Sequence, residues 1–156
     1  MNRAEIRVIK RQLEGYLDYL ELAKQAEEKA EELEKRYEAM AGLRGVPLSK
    51  SGSGKNSGMK PDHTSRFLEI FDQQDELLRT AEAYRCRARR VQRFIEEVLE
   101  SFDRDRAGYL QLAYLRGLPF SAIGEQFDCP ASTVKSRIDL CLEQIPAEIA
   151  KSCGVL

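Results

Sequence analysis

Apolar residues recur at intervals of three and four over most of the first hundred positions, and charged residues fill much of the space between them. From residue 3 to residue 41 the series is Ile6, Ile9, Leu13, Tyr16 or Leu17, Leu20, Ala23, Ala26, Ala30, Leu33, Tyr37 and Met40. This stretch holds no Pro and one Gly, Gly15. It predicts one long helix, with a single slip of the three–four alternation near Ala23–Ala26. A more regular heptad runs from 62 to 102 through Phe67, Ile70, Gln74, Leu77, Ala81, Tyr84, Ala88, Val91, Ile95, Val98 and Phe102. Phe71, Leu78, Phe94 and Leu99 widen that stripe. A seam this regular asks for a partner helix. At 1.5 Å per residue each helix would be about 60 Å long. Matched lengths predict an antiparallel coiled-coil hairpin, and pairing between chains satisfies the same seam.

The two helical patterns are separated by residues 42–61, GLRGVPLSKSGSGKNSGMKP, with five Gly, four Ser, two Pro, four basic residues and no acidic one. This composition predicts a flexible linker. After residue 102 the heptad stops at SFDRDRAG, where Asp103 and Asp105 are suited to cap the next helix. Three short segments come next. Residues 105–116 predict a helix with Tyr109, Leu112 and Leu115 inward, closed by Gly117. Residues 119–127 predict a second, with Phe120, Ile123 and Phe127 inward and Gly124 small enough to let another helix approach. Residues 130–145 predict a third, with Val134, Ile138, Cys141, Leu142 and Ile145 on one face. A short helix, a tight turn at Asp128-Cys129-Pro130 and a longer helix form a helix-turn-helix pattern.

Composition narrows the function classes. The chain is 33% charged with a formal net charge of −1, so no bulk attraction to nucleic acid or membrane follows. Residues 103–156 hold six Lys or Arg against seven Asp or Glu. The four Cys share no CxxC spacing and the chain has one His, His63, so no zinc site and no other metal site is predicted. Free thiols, no signal-peptide core and no apolar run near the roughly 20 residues of a membrane span predict a cytoplasmic protein with no membrane partner. SKSGSGKN at 49–56 lacks the Gly and the Ser or Thr of a phosphate-binding loop, having Ser49 and Asn56 there. No residues are placed as a nucleophile or an acid–base pair, so neither an enzyme nor a cofactor is expected. RCRARRVQR at 85–93 packs five Arg into nine residues. With Glu82, Glu96 and Glu97 nearby it reads first as a solvated or ion-paired face, and second as an accessory phosphate contact.

Residues 114–145, YLRGLPFSAIGEQFDCPASTVKSRIDLCLEQI, carry a resemblance. Gly117-Leu118, Phe120, Ile123-Gly124, Cys129-Pro130 and the run Thr133-Val134-Lys135-Ser136-Arg137 resemble region 4 of bacterial sigma factors, nearest to the extracytoplasmic-function group. Long coiled-coil helices followed by such a module are similar to small phage and prophage transcriptional regulators. The other sigma regions have no counterpart in these 156 residues, so a complete sigma factor is not expected. Asp139, Leu140 and Leu142 stand where family members continue with basic residues, and Pro119 replaces a capping Ser.

The apolar pattern predicts an all-α chain in two parts, a coiled-coil hairpin over 1–102 and a helix-turn-helix bundle over 103–156, and the second part carries the resemblance. The resemblance implies double-stranded DNA as partner, with RNA polymerase as a second contact of the same module and a homodimer or higher oligomer built through the coiled coil. Ser132, Thr133, Lys135, Ser136 and Arg137 are then the DNA-binding residues. Short polar side chains enter a major groove while Lys and Arg meet phosphates. Two other classes stay open: an oligomeric DNA-binding packaging component of small-terminase type, and a helical interaction scaffold without DNA. Loop-closure cost changes slowly with length, so deleting residues 50–58 is expected to leave the melting temperature nearly unchanged in a thermal scan.

Overall fold

The computed structural model describes residues 1–44, 62–102 and 104–156. Among these the regular elements are helical: α1 (Arg3–Glu14), α2 (Tyr16–Arg44), α3 (Asp62–Ser101), α4 (Arg104–Leu110), α5 (Phe120–Gln126), α6 (Ala131–Gln144) and α7 (Ala147–Ser152). A π-helical turn, Gln111–Leu115, follows α4. The expected all-α class holds. None of the described helices is long and apolar enough to cross a membrane. The linker expected over 42–61 lies outside the described residues from position 45 onward, as do the 49–56 segment and Asp103. The chain divides into two compact units, one of Met1–Glu21 with Tyr84–Leu156, the other of Leu22–Ala83.

The single helix expected over 3–41 is interrupted at Gly15. α1 opens with a capping box: Asn2 Oδ1 accepts from the Glu5 amide at 2.9 Å, and the Glu5 carboxylate accepts from the Asn2 amide at 2.8 Å. At Gly15 the ring of Tyr19 lies against the backbone, and a Cβ there would stand 2.8 Å from Tyr19 Cζ. Tyr19 in turn donates to Gln12 Oε1 at 3.3 Å. The apolar seam shifts at this point. Leu13 and Tyr16 are buried, Tyr19 is half-buried, and Leu17 and Leu20 are exposed. Two consecutive three-residue steps, 13 to 16 to 19, make the slip, rather than the stretch at Ala23–Ala26. Leu20 therefore leaves the seam and Tyr19 takes its place.

In the Leu22–Ala83 unit, Ala23, Ala26, Ala30 and Ala81 are buried. Tyr37 meets Phe67 edge-on at 5.3 Å and Phe71 at 4.9 Å between ring centroids. Phe67, Ile70, Gln74 and Leu77 are half-buried as the heptad predicts, whereas Phe71 and Leu78 are exposed. The stripe is narrower here than the residue types suggest.

The other unit has one continuous core. Ile6, Ile9 and Leu13 of α1 join Val91, Phe94, Ile95 and Val98 of α3, Leu110 of α4, Ile123 of α5 and the inner face of α6. α7 has no counterpart in the periodic pattern; it begins after Pro146 and sends Ala150, then Cys153 and Val155, into the same core. The helix expected over 105–116 changes character partway. Tyr109 is buried, but Leu112 and Leu115 are only half-buried. The backbone widens there, with the Arg116 amide donating to the Gln111 carbonyl at 3.0 Å, and this swings both leucines off the line set by Tyr109. Phe127, expected inward, is 46% exposed. It is the residue that ends α5, with φ −108° and ψ 12°, and its ring rests on Tyr109 at 4.8 Å instead of entering the core.

Gly124 does admit a close neighbour, but the neighbour is the following turn and not another helix. The Cys129 amide donates to the Gly124 carbonyl at 2.9 Å, and a Cβ on Gly124 would lie 2.3 Å from the Cys129 carbonyl oxygen. Asp128, at φ 49°, supplies the left-handed step that folds the chain back. Gly124→Ala forces that backbone apart and is expected to cost about 1–3 kcal/mol or more. Gly108, inside α4 with nothing near its missing Cβ, is the contrast: Gly108→Ala should stabilise by about 0.5–1 kcal/mol. Urea denaturation of both variants checks the pair.

Candidate nucleic-acid interface

α5 and α6 are held together by residues 127–130. Pro130 precedes α6 with an extended backbone, φ −67° and ψ 152°, and its carbonyl accepts from the Thr133 amide at 2.9 Å. Pro before a helix costs no hydrogen bond, since the first amides have no intrahelical partner. Val134, Ile138, Cys141 and Leu142 are then buried at helical spacing, with Ile145 just beyond.

The expected contact residues lie on the remaining surface of α6. Ser132, Lys135 and Ser136 are exposed and Thr133 is half-buried. The Ser136 hydroxyl donates to the Ser132 carbonyl at 2.9 Å, so its proton is committed to the helix backbone. Arg137 is exposed but does not stand with the others. Its guanidinium lies 5.3 Å over the Tyr109 ring and donates to the Tyr109 hydroxyl. Ser132, Thr133, Lys135 and Ser136 thus share the first half of α6, while Arg137 is drawn toward α4.

Beside Arg137 lies a cleft of about 640 Å³ lined by Asp105, Arg106, Tyr109, Phe127, Leu140 and Gln144. Arg106 donates to Gln144 Oε1 at 2.9 Å across it. Leu140, off the core face, is 53% exposed at its edge. Asp139, one of the residues that break the basic run of the family pattern, is paired with Lys10 of α1 at 2.5 Å. The other flank of α6 carries the contacts to the start of the chain, where the Met1 amino group donates to the Glu143 carbonyl at 2.7 Å. Burial, with Glu14 and Asp139 nearby, pushes the Tyr114 hydroxyl up to about 12, so it stays protonated through the neutral range.

Tyr109 and Lys10 carry roles that sequence patterns do not assign. Tyr109 is a core residue, as its spacing predicts, but its hydroxyl also anchors Arg137 from 28 positions away. Lys10 lies 129 positions from Asp139. No periodicity or spacing rule links residues so far apart.

No protein-family model, no curated protein and no solved structure matches the chain. The likeness of residues 114–145 to sigma region 4 rests on the residues quoted for it. Arg137→Ala removes a ring contact and a charged hydrogen bond, and is expected to lower the unfolding free energy by about 1–2 kcal/mol. Lys135→Ala, at an exposed position, should change it by less than about 0.5 kcal/mol in the same urea titration.

Proposed function

We propose that this chain is a DNA-binding transcriptional regulator of phage type, in which α5, its turn and α6 act as a sigma region 4-like helix-turn-helix. The supporting observation is the division of α6. One face is sealed in the core, and the first half of the opposite face presents Ser132, Lys135 and Ser136 to solvent with Thr133 beside them. A helix so anchored is suited to enter a major groove by its N-terminal residues, with Lys135 on a phosphate and the short hydroxyls near base edges. Arg137 reaches DNA in this reading only by leaving Tyr109. α2 and α3 serve as the coiled-coil hairpin that pairs two copies or docks polymerase.

Exposed Phe127 and Leu140 beside the cleft favour a second reading, a helical interaction scaffold in which that side of α6 receives a protein partner. The two readings separate on promoter-bearing duplexes from the host genome, measured by fluorescence anisotropy across a salt series. On the DNA reading, Lys135→Ala weakens binding about 3–10-fold and makes the salt slope shallower by about 1. A full chain that shows no salt-dependent affinity for any such duplex leaves the scaffold reading standing.

A further inference from the structure

We infer that α3 and the C-terminal segment around α7 form a second binding site, a basic cleft whose ligand is the sugar–phosphate backbone of duplex DNA. The inference deepens the DNA reading and rests on it for the choice of polyanion; the site itself is argued from its own geometry.

Cys86, Arg89, Arg90 and Arg93 fall at i, i+3, i+4 and i+7, on one face of α3. The opposite side of that helix is occupied, because Val91, Phe94, Ile95 and Val98 are buried. α7 docks by Ala150, and Cys153 and Val155 hold the turn that comes after it. This brings Lys151, Ser152 and Gly154 to the arginine face, where they border an open cleft of about 530 Å³. The stem of Arg90 lies along Gly154, its Cδ 3.4 Å from where a Cβ would be. Basic groups 58 to 62 positions apart in sequence are thereby set around one opening.

Arg90, Arg93 and Lys151 have no ion pair and no side-chain hydrogen bond among the described residues. No Asp or Glu lines the cleft among those residues. Glu96, one of the carboxylates expected to neutralise the run, accepts instead from Gln92 at 2.8 Å. Like charges gathered at one opening raise the local potential and attract a polyanion. Guanidinium groups match phosphate oxygens in pairs. Three cations drawn from two elements suit successive phosphates better than one small anion. A lipid surface fits less well, because an interfacial site needs a broad apolar face and Leu156 is the one exposed large hydrophobic residue lining the cleft among those described.

The test uses the full chain and a random-sequence duplex of about 30 base pairs, with anisotropy followed over a salt series. Replacing Arg90, Arg93 and Lys151 together by Gln is expected to weaken binding about tenfold or more and to make the log–log salt slope shallower by about 2–3. Arg90→Lys with Arg93→Lys keeps the charge and should keep the slope, which separates lost charge from lost packing. An unchanged affinity and slope in the Gln variant overturns the site, whatever Lys135→Ala does. A large loss in the Gln variant with none in Lys135→Ala upholds the cleft and removes the α6 reading. Binding to phosphatidylserine vesicles without binding to duplex overturns the assignment to DNA.

Discussion

The inner face of α6 is the constraint from which the larger unit is built. A helix of 14 residues cannot hide Val134, Ile138, Cys141 and Leu142 by itself. Each such side chain gains about 1.5–3 kcal/mol only when a partner surface removes it from water. α1, the end of α3, α4 and α5 all contribute to the cluster that does so. Once that face is fixed, the direction of every other α6 residue is set with it. Asp139 is turned to Lys10, Arg137 to Tyr109, and the serines at the start of the helix to solvent.

Much of this is legible in the sequence because helical periodicity is a local property. The apolar spacing of α6, its start after Pro130 and the seam positions of α3 are all set by residues within a few turns of one another. What escapes depends on distant partners or on backbone detail. Tyr19 displaces Leu20 from the seam because its ring has a bare glycine to lie on, and hydrophobicity alone ranks Leu higher. Phe127 is as apolar as any core residue, yet the helix ends beneath it and turns it onto Tyr109. The π-helical turn has no composition mark in QLAYL. α7 is six residues long, too short for a period to declare itself, and it exists because the core has room for Ala150, Cys153 and Val155.

The candidate sites show the same division. Residue types place Ser132, Thr133, Lys135 and Ser136 together, and a single helix keeps them so. The same reasoning groups Arg137 with them and treats residues 85–93 as one basic run. Folding redistributes both. Arg87 sits over the stacked rings of Tyr19 and Tyr84, which are 6.3 Å apart, while Arg89, Arg90 and Arg93 face α7. A near-zero net charge therefore says little about this chain, since tertiary packing sorts its cations onto separate surfaces.

The four thiols lie at graded depths in that packing. Cys86 and Cys129 are half-buried, one on the arginine face of α3 and the other in the turn before α6, whereas Cys141 and Cys153 are buried, Cys153 at the edge of the basic cleft. A thiol reagent should react faster with the first pair in the folded molecule than with the second, whose full exposure needs α6 or α7 to lift away. The alkylation rates of Cys141 and Cys153 thus time the opening of two neighbouring helices, and the chain carries reporters of its own breathing without any introduced label.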